Sequence, residues 1–159
     1  MNNVVRVGIG VMILKDNKVL LGHRLSKRKD TGGIQEGDCW SLPGGKQEMF
    51  ETMFEGAKRE IKEETNLDIK EENLELIAIV SGNSRRNEYP NGDVVINNTA
   101  LYCVRNYSGN LKWDSESKSM KFFDLDNLPT NQNDPDLIEI YKKLRPGELP
   151  TVDAARNLF

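Results

Sequence analysis

Three glutamates, Glu60, Glu63 and Glu64, fall within five residues of one another. On a helix, positions i, i+3 and i+4 share a face, and like charges at that spacing repel. An isolated helix therefore gains nothing from the grouping. A multivalent cation that takes carboxylate oxygens converts the repulsion into binding energy; Mg2+ typically takes a few carboxylates together with the phosphates of its substrate. The plain alternative is a solvated face in which the carboxylates pair with Lys58 and Lys62. Upstream, Gly44-Gly45 follow Pro43 and permit a tight turn with unusual backbone angles. No Gly-Lys-Ser/Thr comes after them at the spacing of a phosphate-binding Walker loop.

These residues need elements to position them. Phe50, Met53, Phe54, Ala57 and Ile61 recur at spacings of three and four and predict one apolar helix stripe. Glu51 lies in or beside its first turn, where a carboxylate suits the helix dipole. Arg59 is eight residues from Glu51, two turns along one side, so the two can pair directly or through Glu55. Asn66 stands at the helix exit as a left-handed cap. Before the helix, residues 4–14 alternate Val5, Val7, Ile9, Val11 and Ile13 with smaller or polar neighbours, the period of a strand. Asp16-Asn17 turns the chain into an antiparallel partner, Lys18–Arg24. Residues 26–38 read as a surface loop, and Trp40-Ser41-Leu42 as a short strand. After the helix, Leu74–Val80 and Val94–Val104 predict a hairpin closed at Tyr89-Pro90-Asn91-Gly92-Asp93. Met120–Leu125 is a last strand. Asp134-Pro135 opens a helix whose inner face is Leu137, Ile138, Tyr141 and Leu144. Strands joined by hairpins and flanked by helices predict an α+β fold with a mixed sheet rather than a doubly wound parallel one. One domain is expected over residues 1–145, followed by a weakly patterned C-terminal tail at 146–159.

Composition narrows the function classes. The chain has 159 residues, 37% hydrophobic and 30% charged, with a formal net charge of −3. It suits one soluble domain, and its acidic balance argues against a broad nucleic-acid surface. The N-terminal apolar run is too short and interrupted to span a bilayer, and it lacks the charged start and cleavage site of a signal peptide. Cys39 and Cys103 fit no metal spacing and read as reduced, buried thiols of a cytoplasmic protein. His23, the single histidine, reads as a strand residue rather than a ligand. Trp40 reads as core with base stacking as the alternative. Arg85 and Arg86 read as exposed turn residues, with a face toward an anionic substrate as the alternative.

Taken literally, the spacing is Gly45, five residues, Glu51, seven residues, Arg59-Glu60-Ile61, one residue, Glu63-Glu64, one residue, Asn66-Leu67. This resembles the signature of the Nudix hydrolases, including the MutT-like bacterial members, at every defined position except the last glycine, here Asn66. A left-handed backbone there is compatible with Asn. Flanking features extend the resemblance over roughly residues 4–144: a hairpin before the signature, the Leu42-Pro43-Gly44-Gly45 entry, and Phe122-Phe123-Asp124-Leu125 leading to Leu128-Pro129.

The resemblance implies an α/β/α sandwich. It implies Mg2+-dependent (or Mn2+-dependent) hydrolysis of a nucleoside diphosphate linked to another group, a small-molecule substrate. It assigns Glu60, Glu63 and Glu64 to the metal, and it makes Glu51, Arg59 and Gly45 structural. Glu63 and Glu64 would also orient the attacking water. The proton acceptor is Glu63 or Glu116, the latter just before the last strand. Arg24, with Gly44 and Gly45, is the candidate for substrate binding. Among substrates, chain length leans toward nucleoside triphosphates, oxidised ones included, giving monophosphate and pyrophosphate; ADP-ribose or another nucleoside diphosphate sugar is the alternative. A third reading is a catalytically inactive nucleotide-sensing module, against which the intact carboxylates argue. Oligomeric state is left open, a homodimer included.

Overall fold

A computed structural model describes residues 2–24 and 39–145; the loop at 26–38 and the tail at 146–159 lie outside the described residues. The central strand is β1, Asn3–Lys15, running parallel to β7, Val94–Val104, from Asn3↔Val94 to Ile13↔Val104. Beyond β7 lie β5, Leu74–Val80, antiparallel to it, and the short β6, Arg86–Glu88. The predicted 74–104 hairpin is therefore present, with β6 added before its turn. Tyr89 N–H donates to Asp93 O at 2.8 Å and closes that turn.

The β1–β2 hairpin is real only at its tip. β1 pairs β2, Lys18–Arg24, at Leu14↔Val19 and Lys15↔Lys18. β2 then diverges to pair β3, Trp40–Ser41, and β8, Ser117–Asp124. The vacated flank of β1 is taken by β4, Gly44–Lys46, in the register Gly8↔Lys46 to Gly10↔Gly44. The sheet is thus forked, and the fork opens where β1 carries Gly8 and Gly10.

One helix covers each face. α1, Met53–Thr65, sits over Ile9, Val11, Ile13 and Leu20, burying Ala57 and Ile61 completely. α2, Pro135–Leu144, sits over Met12, Leu14 and Leu21 through Leu137, Ile138 and Tyr141. Burying a side chain such as Ile61 contributes roughly 1.5–3 kcal/mol, so this packing, rather than helix propensity, fixes where α1 points. The result is the expected α/β/α sandwich. No helix among the described residues is long and apolar enough to cross a membrane.

Three expectations change. The alternation in β1 predicts one buried face, but positions 8–14 are buried on both faces because the strand is central, while Val5 and Val7 are exposed. Cys103 is buried as expected, whereas Cys39 is only half-buried; neither is in a disulfide. Phe50 does not belong to the α1 stripe. The helix begins after Thr52, whose side chain accepts from Glu55 N–H at 3.1 Å, and Phe50 lies in the loop before it, 100% exposed. Its backbone is left-handed, φ +68°, a region that costs a bulky L residue about 1–2 kcal/mol. Phe50→Gly is expected to raise stability by roughly 0.5–1 kcal/mol after allowing for the more flexible unfolded chain. A urea titration of both proteins measures the difference.

Candidate active site

The fork of the sheet opens into a cleft of about 590 Å3. Gly8, Gly10 and Gly22 line it, and side chains at those positions would crowd Thr99, Leu137 and Met120. The absence of side chains on two neighbouring strands is what makes room. One wall is α1 and the loop before β8, which bring together Glu60, Glu63, Glu64, Asp114 and Glu116.

The signature folds as a braced unit. Glu51 accepts from Arg59 Nη2 at 2.8 Å and Nε at 3.0 Å, the direct two-bond pairing that the eight-residue spacing allows. Glu51 Oε1 also accepts from Glu48 N–H at 2.7 Å. Arg59 thereby holds the Glu51 carboxyl down at about 2. Arg59 further donates to Lys46 O at 3.1 Å and to Glu60 Oε1 at 2.8 Å. One guanidinium thus ties α1 to β4 and to the loop before the helix. At the exit, Asn66 is left-handed, φ 65°, and its N–H donates to Lys62 O, so asparagine serves where the family pattern has glycine.

The carboxylates differ in surroundings. Glu63 is the outermost, its side chain 57% exposed and 3.7 Å from Arg59. Glu60 is mostly buried, and burial raises its pKa against the opposing pull of Arg59. Glu64 is the innermost. Its Oε2 accepts from Gly44 N–H at 2.8 Å. Burial pushes its carboxyl up to about 9; the Gly44 N–H opposes this, and Glu60, Glu116 and Asp114 add to it. Gly44 and Gly45 are held by close approach: a Cβ on Gly45 would lie 2.4 Å from Glu60 Oε1. Gly44 N–H is therefore engaged by Glu64. Among the described residues no three His, Cys, Asp or Glu side chains already converge as a metal site; Glu60 is paired with Arg59 and Glu64 with the Gly44 N–H.

The other candidates fall around the same cleft. Arg24 ends β2 opposite Ser117, at a bulge after His23, and lines the cleft; bulges re-aim side chains in this way. Glu116 lies just before β8, its N–H donating to Asp114 Oδ1 at 3.1 Å. His23 is a strand residue, stacked on Trp40 with ring centroids 4.6 Å apart. Trp40 packs against the α2 core and Phe123. Arg86 is exposed as expected and pairs with Glu88, but Arg85 is not: it is half-buried and lines the cleft. Arg6, Lys46, Asp114, Asn97 and Thr99 also line it and were not anticipated. The alternating glycines at 8 and 10 were the available signal.

A forked mixed sheet between two helices, with an acidic helix facing a glycine-floored cleft, defines an α/β/α-sandwich protein with a carboxylate-rich cleft. The NUDIX domain model matches residues 4–144, and the chain belongs to the Nudix family. An ADP-ribose pyrophosphatase of Methanocaldococcus jannaschii is 37% identical over 123 residues, 77% of this chain and 64% of that protein. The match thus spans less than two thirds of that relative. The crystal structure of a MutT NUDIX hydrolase from Burkholderia pseudomallei is 27% identical, with TM-score 0.68 over 86% of this chain and 97% of that one. An ADP-ribose pyrophosphatase from Streptococcus suis, 19% identical, shares the fold with TM-score 0.58 over 91% of this chain and 94% of its own.

Proposed function

We propose that the protein is a divalent-cation-dependent hydrolase of the diphosphate bond in a nucleoside diphosphate linked to a second group. The observation that supports this most is Glu64, a largely but not fully buried carboxylate with a backbone donor and three acidic neighbours. Such a group is costly to ionise unless a cation joins it. Glu60, Glu63 and Glu64 fit a hard divalent ion in donor type, Mg2+ first and Mn2+ second. When bound, the ion offsets charge developing on the diphosphate and lowers the pKa of a coordinated water. Glu60 and Glu64 are ligands in this reading, with the more exposed Glu63 completing the set. Glu63 or Glu116 receives the proton of the attacking water; both line the cleft on the acidic side. Arg24 and Lys46 flank that side and suit the diphosphate oxygens. Glu51 and Arg59 brace the ligands and do no chemistry.

Nucleoside diphosphate sugars of the ADP-ribose type come first among substrates. The 37% identity to a protein named ADP-ribose pyrophosphatase outweighs an expectation drawn from chain length. Nucleoside triphosphates come second. Chromatographic product analysis with Mg2+ separates them: monophosphate plus sugar phosphate supports the first, and monophosphate plus pyrophosphate the second. An absence of hydrolysis across both classes with Mg2+ or Mn2+ overturns the proposal and leaves a sensing module.

A further inference from the structure

The far end of the cleft is built around Arg85, and its construction is unlike that of the acidic end. Arg85 ends the single turn Asn83–Arg85, entered through Gly82 at φ +97°. Its side chain is only 13% exposed. Nη2 donates to Asp136 Oδ1 at 3.0 Å and lies 3.5 Å from Asp134 Oδ1; Nη1 donates to Thr99 Oγ1 at 3.4 Å. Thr99 is itself buried, so the guanidinium is fixed from two elements, β7 and α2. The hydrogen bonding is nevertheless incomplete. Arg85 Nε and Asp136 Oδ2 are buried without a partner. Native proteins rarely leave such groups unmade in a cluster that serves only as a brace.

Charge says what belongs there. One guanidinium between two carboxylates leaves this trio net negative with Arg85 already engaged, so Arg85 does not itself receive a phosphate; Arg6, the register partner of Asn97, is a further cation lining the cleft. The same cleft is also lined by the uncharged polar residues Asn87, Asn97, Asn133 and Tyr89. Such a lining fits a neutral, hydrogen-bonding, partly flat group. Position agrees. Asp134 Oδ2 accepts from Leu42 N–H at 3.2 Å, while Glu64 accepts from Gly44 N–H. The rigid Pro43 is the only residue between those two amides, so both ends of the cleft hang on one strap. Two residues of extended chain span roughly 7 Å, which suits a diphosphate at the acidic end with its nucleoside at the Arg85 end.

We propose that Arg85 is a specificity-determining residue that holds the face receiving the substrate's nucleoside, and that Asp136, which does not line the cleft, is a positioning residue acting through it. The inference rests on the nucleotide reading above, and the experiment separates the two. Binding of the four nucleoside monophosphates and of inorganic pyrophosphate is measured with Mg2+ by titration calorimetry. Wild type is compared with Arg85→Gln, Arg85→Lys and Asp136→Asn, each checked by thermal melting. In Arg85→Gln the preferred monophosphate is expected to weaken about ten- to hundredfold, the range for losing a charged hydrogen bond, while pyrophosphate stays within about twofold. Arg85→Lys and Asp136→Asn should shift in the same direction by less, and they carry the comparison if the glutamine variant unfolds. Equal weakening of both ligands, or none for the monophosphate, overturns the assignment. Monophosphate binding that depends on Arg85 in a wild type that hydrolyses nothing leaves this inference standing and removes the hydrolase. A wild type that hydrolyses but binds monophosphates independently of Arg85 does the reverse. A wild type that binds no monophosphate overturns this inference outright.

Discussion

Glu64→Gln is expected to lower turnover on the order of 10³-fold at saturating Mg2+ while leaving the fold intact. Glutamine keeps the shape of the side chain and an amide oxygen for Gly44 N–H, so the 2.8 Å link between α1 and β4 survives. What disappears is the negative charge that a divalent ion would need at the innermost position. Glu63→Gln is expected to cost less, because Glu63 is more than half exposed and water or Glu116 can partly replace it. Steady-state kinetics beside a thermal melt make the test. Retention of turnover within tenfold in Glu64→Gln would show that this innermost carboxylate is not a ligand.

The same residue sets a pH dependence that can be read without substrate. Burial raises the Glu64 carboxyl from 4.5 to about 9. A folded pKa above the unfolded one means that the group's contribution to stability is fully present below about 4.5 and is lost as pH rises through about 9. In EDTA the melting temperature of wild type should therefore decline between pH 5 and pH 9 more steeply than that of Glu64→Gln. Saturating Mg2+ should flatten the wild-type decline, because the cation takes the place of the proton and releases it. Glu51 works in the opposite sense and elsewhere. Arg59 lowers it to about 2, so its contribution is present above about 4.5 and is lost only as pH falls through about 2.

What was legible in the sequence follows from how local the physics is. The α1 face, the direct Glu51–Arg59 pairing and the left-handed Asn66 depend on contacts within one helix and its caps, so spacing alone predicts them. The α2 start at Asp134-Pro135 and the turn at 89–93 are equally local. The parallel pairing of β1 with β7 and the fork between β1 and β2 are not. They join residues about ninety positions apart in the first case and depend on β4 displacing β2 in the second. Arg85 shows the cost of missing this. Its neighbours in sequence are polar turn residues, and only α2 folding back supplies Asp134 and Asp136. Phe50 fails for a different reason: its spacing from Met53 and Phe54 is helical, but Thr52 is the better cap and the helix starts after it. The carboxylates were legible as a group, whereas Asp114 joins them only through the loop that precedes β8.

Gly44→Ala is expected to add the most damaging methyl group among the glycines of the described residues. Gly44 has φ +153°, and a Cβ there would lie 1.9 Å from Ile9 O and 3.1 Å from Gly10 Cα. These are backbone atoms of the central strand, which cannot swing aside as a flexible side chain can. Relief requires β4 to move off β1, which breaks the Gly10↔Gly44 register. Overpacking and backbone strain each cost about 1–3 kcal/mol, so a loss of roughly 2–5 kcal/mol is expected in a urea titration. The displacement also withdraws the N–H that holds Glu64 and shifts Pro43, which spaces Gly44 from Leu42. Both ends of the cleft therefore move at once. In whatever fraction remains folded, turnover should fall at least a hundredfold, consistent with the sensitivity of catalysis to misplacements near 1 Å. Ile9→Ala offers the control: it removes buried volume beside the same carbonyl, costs stability, and leaves the strap in place. A Gly44→Ala protein with wild-type turnover would mean that β4 does not position the carboxylates.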